Sequence, residues 1–469
     1  MGLSEATSFE QQEPENKLNF AHKLAYGVGD VGPALVATLS GFFLNAFLLD
    51  VAGLRPSMAA LIFLIVKIWD SVNDPIMGTL TDRTNTRWGR RRPWLLFGAV
   101  PFGLAWFLQW LVPDMGDIGL FFYYLVVALL LDTALTAVNV PYAALTPEIA
   151  PGYNERTSLN TFRFSFSILG GMTALLIHDT IIRSAESVTT GYAISAALMG
   201  IVIIVTNWIT FATTKETYTQ DEEMEEPGFI EGFKIAFNNR PFLMVTGIYL
   251  MSWLAIQFIQ ANMLLYVRYW LGGEDRFIIL AMALQISIFV FLIVWTKLSK
   301  HIGKRHVYFV GATFWIIVQF FLFWIQPGQF YLLLGLAILA GAGASVAYLI
   351  PWSMLPDVVD VDELNTGLRR EGVYYGFFVF LQKLGISLGL AISNLVFEAS
   401  GYINAVPGEA YPVQPDSVQL ALRLFISFVP AVVLLLSFPI VYKYPITRKR
   451  HAEIRQELAT RKANELATN

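Results

Sequence analysis

MAALIFLIVKIWDSVNDPIMG, residues 58–78, joins an unbroken apolar run to a polar segment with no turn between them. A run of this kind forms a membrane helix. Its polar residues, which fall within eight positions, are Lys67, Asp70, Asn73 and Asp74. One buried charge costs about 2.5–3.5 kcal/mol even on a permissive insertion scale. Several charges in one membrane helix therefore predict a function that needs charge inside the membrane.

The whole chain has the composition of an integral membrane protein. Its 469 residues are 55% hydrophobic and 14% charged, whereas a soluble domain carries about 25% charged residues. Cysteine is absent, which excludes disulfides, thiolate metal sites and cysteine nucleophiles. The polar N-terminus lacks the short apolar core of a signal peptide, so we expect the first apolar segment to be kept as a membrane helix.

Apolar runs that can cross about 30 Å of hydrocarbon recur along the chain. We therefore predict an all-α membrane protein with twelve transmembrane helices in two six-helix repeats. The predicted spans are 24–50, 58–81, 93–112, 118–145, 158–181, 192–213, 241–267, 277–298, 306–326, 330–354, 373–398 and 419–443.

These spans divide the chain into four parts. The predicted parts are an N-terminal six-helix bundle (1–213), a cytoplasmic linker (214–240), a C-terminal six-helix bundle (241–443) and a cytoplasmic tail (444–469). The linker is acidic, and its second part, 228–239, is predicted to form a surface helix.

Lysine and arginine are distributed unequally between the two predicted sides of the membrane. The side opposite the linker holds only Arg55, Arg183, Arg268 and Arg276 of the 32 basic residues. Because loops rich in Lys and Arg stay in the cytoplasm, we predict a protein of the cell membrane with both termini cytoplasmic.

Two pairs of matching segments indicate an internal repeat. TRWGRRRPWLL (86–96) matches KHIGKRHVYFV (300–310), and NVPYAALTPEI (139–149) matches LIPWSMLPDVV (349–359). The first pair is 214 residues apart and the second pair 210. Because these separations are nearly equal, we expect two copies that face the same way, around a site near the midplane. This organisation resembles that of major-facilitator transporters, and the sequence shows no pore loop of the kind that favours a channel.

The charged residues of the second predicted helix are arranged as a cation site. Asp70, Asn73 and Asp74 are three and four residues apart and share one face. Two carboxylates and an amide oxygen suit a hard cation, so Na+ is predicted at Asp70 and Asp74. Two alternatives stay open: a site for a proton shared by the two carboxylates, and an ion-pair lattice that only holds the helices together.

Lys383, in the eleventh predicted helix, is the expected counter-charge. Without a cation it can pair with the carboxylates of the second helix across the interface between the halves. An arriving cation would displace it and change the preferred packing, which is the differential interaction that alternating access requires. Lys67 flanks the same face and is predicted to take part in the coupling.

Polar and aromatic side chains between the halves are the candidates for substrate contact. Asp30 and Arg163 stand out because each is a charge that lipid does not accommodate. Aromatic faces with a few hydrogen-bonding groups suit sugar rings, and plain helix packing is their alternative explanation. The candidates are Tyr26, Asp30, Asn139, Tyr142, Arg163, Trp253, Gln257, Trp352 and Gln382.

Charged clusters on the predicted cytoplasmic side can form an inner gate that breaks when the site opens inward. The gate candidates are Arg83, Glu148, Asp357 and Arg370. Alternatively, these arginines only set the topology.

An enzymatic function is not predicted. GVGD (27–30) matches a pattern of intramembrane aspartyl proteases. Those enzymes need a second aspartate on a preceding membrane helix, and GVGD lies in the first of the predicted spans. We expect no cofactor other than the coupling cation and no nucleic-acid partner. The predicted partners are the lipid bilayer and a small-molecule substrate, and the predicted functional unit is a monomer.

Motifs along most of the chain resemble those of the glycoside–pentoside–hexuronide:cation symporters. They are YGVGD (26–30), KIWDSVNDPIMG (67–78), RTNTRWGRRRPW (83–94), NVPYAALTPE (139–148), ERTSLNTFR (155–163) and PDVVDVDELNTGLRREGVYYGFFVFLQKLG (356–385). The resemblance implies uptake of a glycoside or other carbohydrate coupled to Na+, Li+ or H+. It implies cation ligands at Asp70, Asn73, Asp74 and Thr136, and it places Lys383 and Arg163 on a lysine and an arginine of that family.

The sequence departs from that family at the residues that bind the sugar. The family's two sugar-binding aspartates align with Ala34 and Asn139, and the family's sugar-stacking tryptophan aligns with Ala143. Asp30 lies one turn before Ala34 and is a possible replacement for the missing carboxylate.

Two segments also resemble those of sodium-coupled lysophospholipid symporters. They are GFFLNAFLLDVAGL (41–54) and PWSMLPDVVD (351–360). We therefore predict a carbohydrate as the substrate and keep a lysophospholipid-like amphiphile as the alternative.

Overall fold

The computed structural model describes residues 18–150, 153–216, 229–368, 370–406 and 410–468. Within these ranges the chain folds almost entirely as helix. The acidic part of the predicted linker, 217–228, lies outside the described residues.

The membrane helices follow one another with short connections. In chain order they are α1 (Phe20–Leu44), α2 (Pro56–Arg83), α3 (Arg92–Gln109), α4 (Asp117–Ile149), α5 (Tyr153–Ser184), α6 (Val188–Thr213), α7 (Arg240–Leu271), α8 (Glu274–Ile302), α9 (Lys304–Phe323), α10 (Phe330–Thr366), α11 (Glu371–Ala399) and α12 (Asp416–Lys443).

Among the described residues, eleven of these helices are long and apolar enough to cross a membrane. The other is α3, which has 18 residues, begins at Arg92 and contains Pro101. At 1.5 Å per residue it is about 27 Å long, and it packs between α4 and α6 like its neighbours. The predicted all-α, twelve-helix arrangement is confirmed.

The first six helices pack mainly on one another, and so do the last six. The main contacts between the two halves join α2 to α11, the end of α1 to α7, and α5 to α8. The space between the halves, where α2 meets α11, is therefore the place in which residues from both halves come together.

Helix α1 is less regular than the uninterrupted span predicted for 24–50. Its α-helical course is interrupted at Gly29 and Asp30, and wide π-helical turns follow from Ser40 to Val51. A Cβ atom on Gly29 would lie 2.6 Å from the ring of Tyr142. Glycine at this position therefore lets α1 approach α4 closely.

Helix α10 is longer than predicted. The apolar run predicts a membrane span over 330–354, but the helix continues through Pro351 and Pro356 to Thr366. Neighbouring helices compensate for the lost backbone hydrogen bonds in such cases. The helix ends where Gly367 adopts a φ of 74°, a conformation that glycine takes readily. The segment expected to be a loop after 354 is thus helical.

Two further helices lie at one end of the bundle. The linker helix, Phe229–Asn238, confirms the surface helix predicted for 228–239, and its Phe233 packs against Phe377 of α11 with ring centroids 5.7 Å apart. The tail helix, Arg448–Thr468, packs on α10. We call this end the linker side and the opposite end the far side.

Candidate cation and substrate site

Lys383 joins the two halves near the middle of α2 and α11. Its Nζ donates to Asp70 Oδ1 at 2.8 Å and to Asp74 Oδ2 at 2.5 Å. Asp70 is 2% exposed, whereas the side chains of Lys383 and Asp74 are 25% and 37% exposed, so the contact is open on the side of Asp74. The structure therefore brings together the two aspartates and the lysine that the sequence singled out separately.

The other predicted cation-site residues lie around the same carboxylates. Lys67 Nζ donates to Asp70 Oδ2 at 2.9 Å, and Thr136 Oγ1 of α4 donates to Asp74 Oδ1 at 3.2 Å. Asn73 is 2% exposed, and its amide Nδ2 is buried without a hydrogen-bond partner. The oxygen and nitrogen of an amide are assigned from their surroundings. Rotating the Asn73 amide by half a turn would therefore place its oxygen, rather than its nitrogen, at the position without a hydrogen-bond partner.

The ammonium of Lys383 holds the position between the carboxylates. Among the described residues, no group of three or more His, Cys, Asp or Glu side chains is spaced to hold a metal ion. A monovalent cation and the lysine carry the same charge and need the same oxygen atoms. This geometry makes them competitors for Asp70 and Asp74.

Sequence reasoning missed Asp132, which lies on α4 one turn before Thr136. It is 7% exposed, and its Oδ1 lies 3.8 Å from Lys67 Nζ. Its Oδ2 is buried and has no hydrogen-bond partner. The signal was present, since this is a single acidic residue inside the apolar run VVALLLDTALTAVNV, residues 126–140.

The substrate candidates of the N-terminal half contact one another. Arg163 Nε donates to Asp30 Oδ1 at 3.0 Å, and its guanidinium lies 5.0 Å from the centre of the Tyr142 ring. Tyr26 and Tyr142 stack at 4.8 Å, and each hydroxyl donates to the backbone carbonyl of the other residue. Both tyrosines are 1% exposed, so substrate contact by them would require α1 and α4 to separate.

The substrate candidates of the C-terminal half are more accessible. Trp352 is 38% exposed, and its Nε1 donates to the hydroxyl of Tyr249 at 2.7 Å. Trp253 is half-buried, with its ring 5.0 Å from that of Tyr348. Gln382 is half-buried and Gln257 is buried.

One further substrate candidate lies in the N-terminal half. Asn139 is half-buried, and its Oδ1 has no hydrogen-bond partner.

A buried charge cluster closes the far side. Asp50, just beyond α1, accepts hydrogen bonds from Arg268, from Tyr269 at 2.7 Å and from Tyr402. Its side chain is fully buried. The cluster was not predicted, because only Arg268 was noted and only as a marker of orientation. It ties the first half of the chain to the second at this end.

Two of the predicted gate residues on the linker side form ion pairs within their own half. Glu148 pairs with Arg91 at 2.9 Å inside the N-terminal half. Asp357 pairs with Lys304 at 2.7 Å inside the C-terminal half.

The other two gate candidates do not cross between the halves either. Arg370 pairs with Asp362 at 2.7 Å inside the C-terminal half, and Arg83 is exposed. The hydrogen bond to Asp362 raises the pKa of Arg370 above its ordinary value, so this arginine stays charged. These contacts leave the gate role of all four candidates a prediction.

Twelve membrane helices in two halves, with a lysine–carboxylate contact at their interface, define a multi-pass membrane transporter. The chain belongs to the family described as MFS/sugar transport protein, whose model matches residues 25–448. The predicted major-facilitator fold is thereby confirmed. The match defines the broad family, and the glycoside–pentoside–hexuronide branch stays a prediction.

Relatives and solved structures extend over almost the whole chain. It is 40% identical to an uncharacterized symporter of Synechocystis sp., over 96% of this chain and 98% of the relative. It is 29% identical to the sodium-dependent lysophosphatidylcholine symporter 1-A of Danio rerio, over 97% and 91%. The inward-open xylose transporter XylE from E. coli is 14% identical with a TM-score of 0.62, over 93% and 98%. This last likeness shows the fold.

Proposed function

We propose that the chain is a Na+-coupled symporter of the glycoside–pentoside–hexuronide:cation type, which takes up a carbohydrate by alternating access. The observation that carries the proposal is the contact of Lys383 with Asp70 and Asp74. The same carboxylate oxygens of the N-terminal half bind either the lysine of the C-terminal half or a cation. Relatives named as sodium-dependent symporters support Na+ as the ion.

The exchange of Lys383 for Na+ supplies the coupling. Two unit charges 4 Å apart interact by about 4 kcal/mol at an effective dielectric constant of 20. Na+ on Asp70, Asn73, Asp74 and Thr136 replaces this attraction without linking the two halves. Binding of the ion therefore changes which packing of the halves is favourable, as an alternating-access cycle requires.

The arrangement of ion pairs supports a state that is open on the linker side. The halves are tied together on the far side at Asp50 and Arg268, whereas Glu148 and Asp357 pair within their own halves. With the linker side cytoplasmic, as the Lys and Arg distribution predicts, this is the inward-open state. In the outward-open state, the gate residues Arg83, Glu148, Asp357 and Arg370 would pair across the halves.

The proposal includes the organisation predicted from the sequence. Bundles 1–213 and 241–443 move relative to each other, segment 214–240 links them, and tail 444–469 covers the second bundle on the cytoplasmic side. The protein acts as a monomer in the cell membrane.

A carbohydrate is the first substrate candidate. It is supported by the family description, by the indole of Trp352, which is 38% exposed, and by the half-buried amide of Gln382. A lysophospholipid is the second candidate. It is supported by the full-length relatives that carry this name and by Ala34 and Asn139, which replace the sugar-binding carboxylates implied by the resemblance.

The test is uptake into proteoliposomes under an imposed inward Na+ gradient at fixed pH. Labelled mono- and disaccharides and lysophosphatidylcholine are supplied in parallel to the full chain and to Asp74→Asn. Asp82→Asn is the matched control, because it makes the same change on α2 at a side chain that is 57% exposed.

We expect Na+-driven accumulation of a carbohydrate that Asp74→Asn abolishes and Asp82→Asn keeps. Accumulation of lysophosphatidylcholine alone would select the second substrate. Uptake that ignores Na+ and survives Asp74→Asn would overturn the cation site.

A further inference from the structure

The charges around the site do not balance. Three carboxylates, Asp70, Asp74 and Asp132, face two ammonium groups, Lys67 and Lys383. With all five ionised, one negative charge is in excess. Leaving a buried charge without compensation is strongly unfavourable, so this region requires a further positive charge.

The hydrogen bonds show which carboxylate lacks a partner. Asp70 uses one oxygen for Lys383 and the other for Lys67. Asp74 uses one for Lys383 and the other for Thr136. Asp132 has only the distant Lys67 at 3.8 Å on one oxygen and nothing on the other, although the residue is 93% buried. The unpaired oxygen of Asp132 is therefore the place where a cation is needed.

The neighbouring hydroxyl does not fill this need. Thr133 Oγ1 donates to the carbonyl of Leu129 at 2.7 Å and accepts from Trp69 Nε1 at 2.8 Å. Its proton is thus already used within α4. The same contact places an indole of α2 beside α4, one residue from Asp132.

We propose that Asp132 is a cation-binding carboxylate and that the chain binds two Na+ ions when Lys383 has withdrawn. One ion binds at Asp70, Asp74 and Thr136, and the second binds at the unpaired oxygen of Asp132, while Lys67 stays paired with Asp70. When Lys383 withdraws, three carboxylates face one lysine, and two monovalent cations restore neutrality. This inference rests on the proposed function, since it deepens the same Na+ site.

The stoichiometry is measured by equilibrium binding of radioactive Na+ to the purified full chain in lipid nanodiscs, with choline as the replacement ion. We expect two Na+ per chain for the wild type, one for Asp132→Asn, and two for Asp82→Asn. Thermal unfolding of each variant without Na+ verifies that it is folded.

A second variant keeps the test independent of the fold of Asp132→Asn. Lys67→Met removes the ammonium that remains beside the three carboxylates when Lys383 withdraws, so we expect the Na+ ions to bind more tightly than in the wild type. One ion per wild-type chain, or two ions in Asp132→Asn, would overturn the inference and leave the proposed symport intact. A wild-type chain that binds no Na+ at all would overturn both.

Discussion

Lys383 Nζ and Asp74 Oδ2 lie 2.5 Å apart although 309 residues separate them in the sequence. One residue belongs to the C-terminal half and the other to the N-terminal half. A contact of this strength at mid-membrane holds two bundles in one relative position. Any ligand that displaces the lysine must therefore affect the position of the halves.

Replacing Lys383 with Met should make the protein depend on Na+ for stability. The change leaves Asp74 without its ammonium partner and removes one of the two ammonium partners of the buried Asp70, so it should lower the free energy of unfolding. Na+ should restore most of that loss, because it no longer competes with the lysine. The measurement is the thermal unfolding midpoint of the purified chain as a function of Na+ concentration.

The matched control is Lys300→Met, which removes an exposed lysine at the end of α8. It should respond to Na+ like the wild type. A Lys383→Met midpoint that responds to Na+ no more than this control would contradict the competition between lysine and cation. Uptake by Lys383→Met should be lost in either case, since the coupling residue is gone.

Asp50→Asn should open the far side. The change removes the carboxylate that pairs with Arg268 across the halves, leaving Arg268 paired with Glu274 of its own half. It also weakens the hydrogen bonds from Tyr269 and Tyr402. The chain has no native cysteine, so spin labels can be placed without removing any. Labels at Asp114→Cys, in the exposed loop after α3, and at Asp275→Cys, at the exposed start of α8, should report longer distances in pulsed electron resonance.

Asp117→Asn is the control for that experiment. Asp117 pairs with Arg55 at 2.8 Å on the same side, but both residues belong to the N-terminal half. The distance distribution should therefore stay as in the wild type. Equal distributions for Asp50→Asn and the wild type would mean that the cluster does not hold the far side closed.

The sequence predicted the centre of the site because buried charges in lipid are expensive and rare. Asp70, Asn73 and Asp74 share one helix, so their spacing alone places them on one face. Asp132 was missed because its partners, the Lys67 ammonium and the site around it, come from another helix. Only the packing of α4 against α2 shows that it belongs to the same cluster.

The far-side cluster was out of reach for the same reason. Asp50 and Arg268 are 218 residues apart, and neither lies in a motif with a regular spacing. The length of α10 was wrong for a local reason. The span was predicted from its apolar run, which ends near 354, whereas the helix continues through Pro356 into a more polar segment as far as Thr366.

Glu216→Gln should destabilise the N-terminal half. The Glu216 carboxylate accepts the backbone N–H groups of Arg90, Arg91 and Arg92 at 2.6–2.8 Å. It therefore satisfies the free donors at the start of α3 and favours the positive end of that helix. Hydrogen bonds to a charged group contribute about 1.5–3 kcal/mol each, so losing the charge should lower the unfolding midpoint.

The control is Glu453→Gln on the tail helix, where an exposed side chain pairs with Arg450 at 3.2 Å. Surface pairs of this kind contribute about 0–1 kcal/mol, so the midpoint should hardly move. A Glu216→Gln midpoint equal to that of Glu453→Gln would show that the carboxylate does not fix the start of α3.

Asp30 and Arg163 permit a test that separates packing from substrate contact. Asp30→Asn or Arg163→Gln alone leaves one buried charge unpaired, so each should lose about 3–5 kcal/mol of stability. The double variant removes both charges and should recover most of that stability, measured by thermal unfolding. Uptake should nevertheless stay low in the double variant if the pair contacts substrate. Recovery of uptake together with stability would instead assign Asp30 and Arg163 to the packing of α1 against α5.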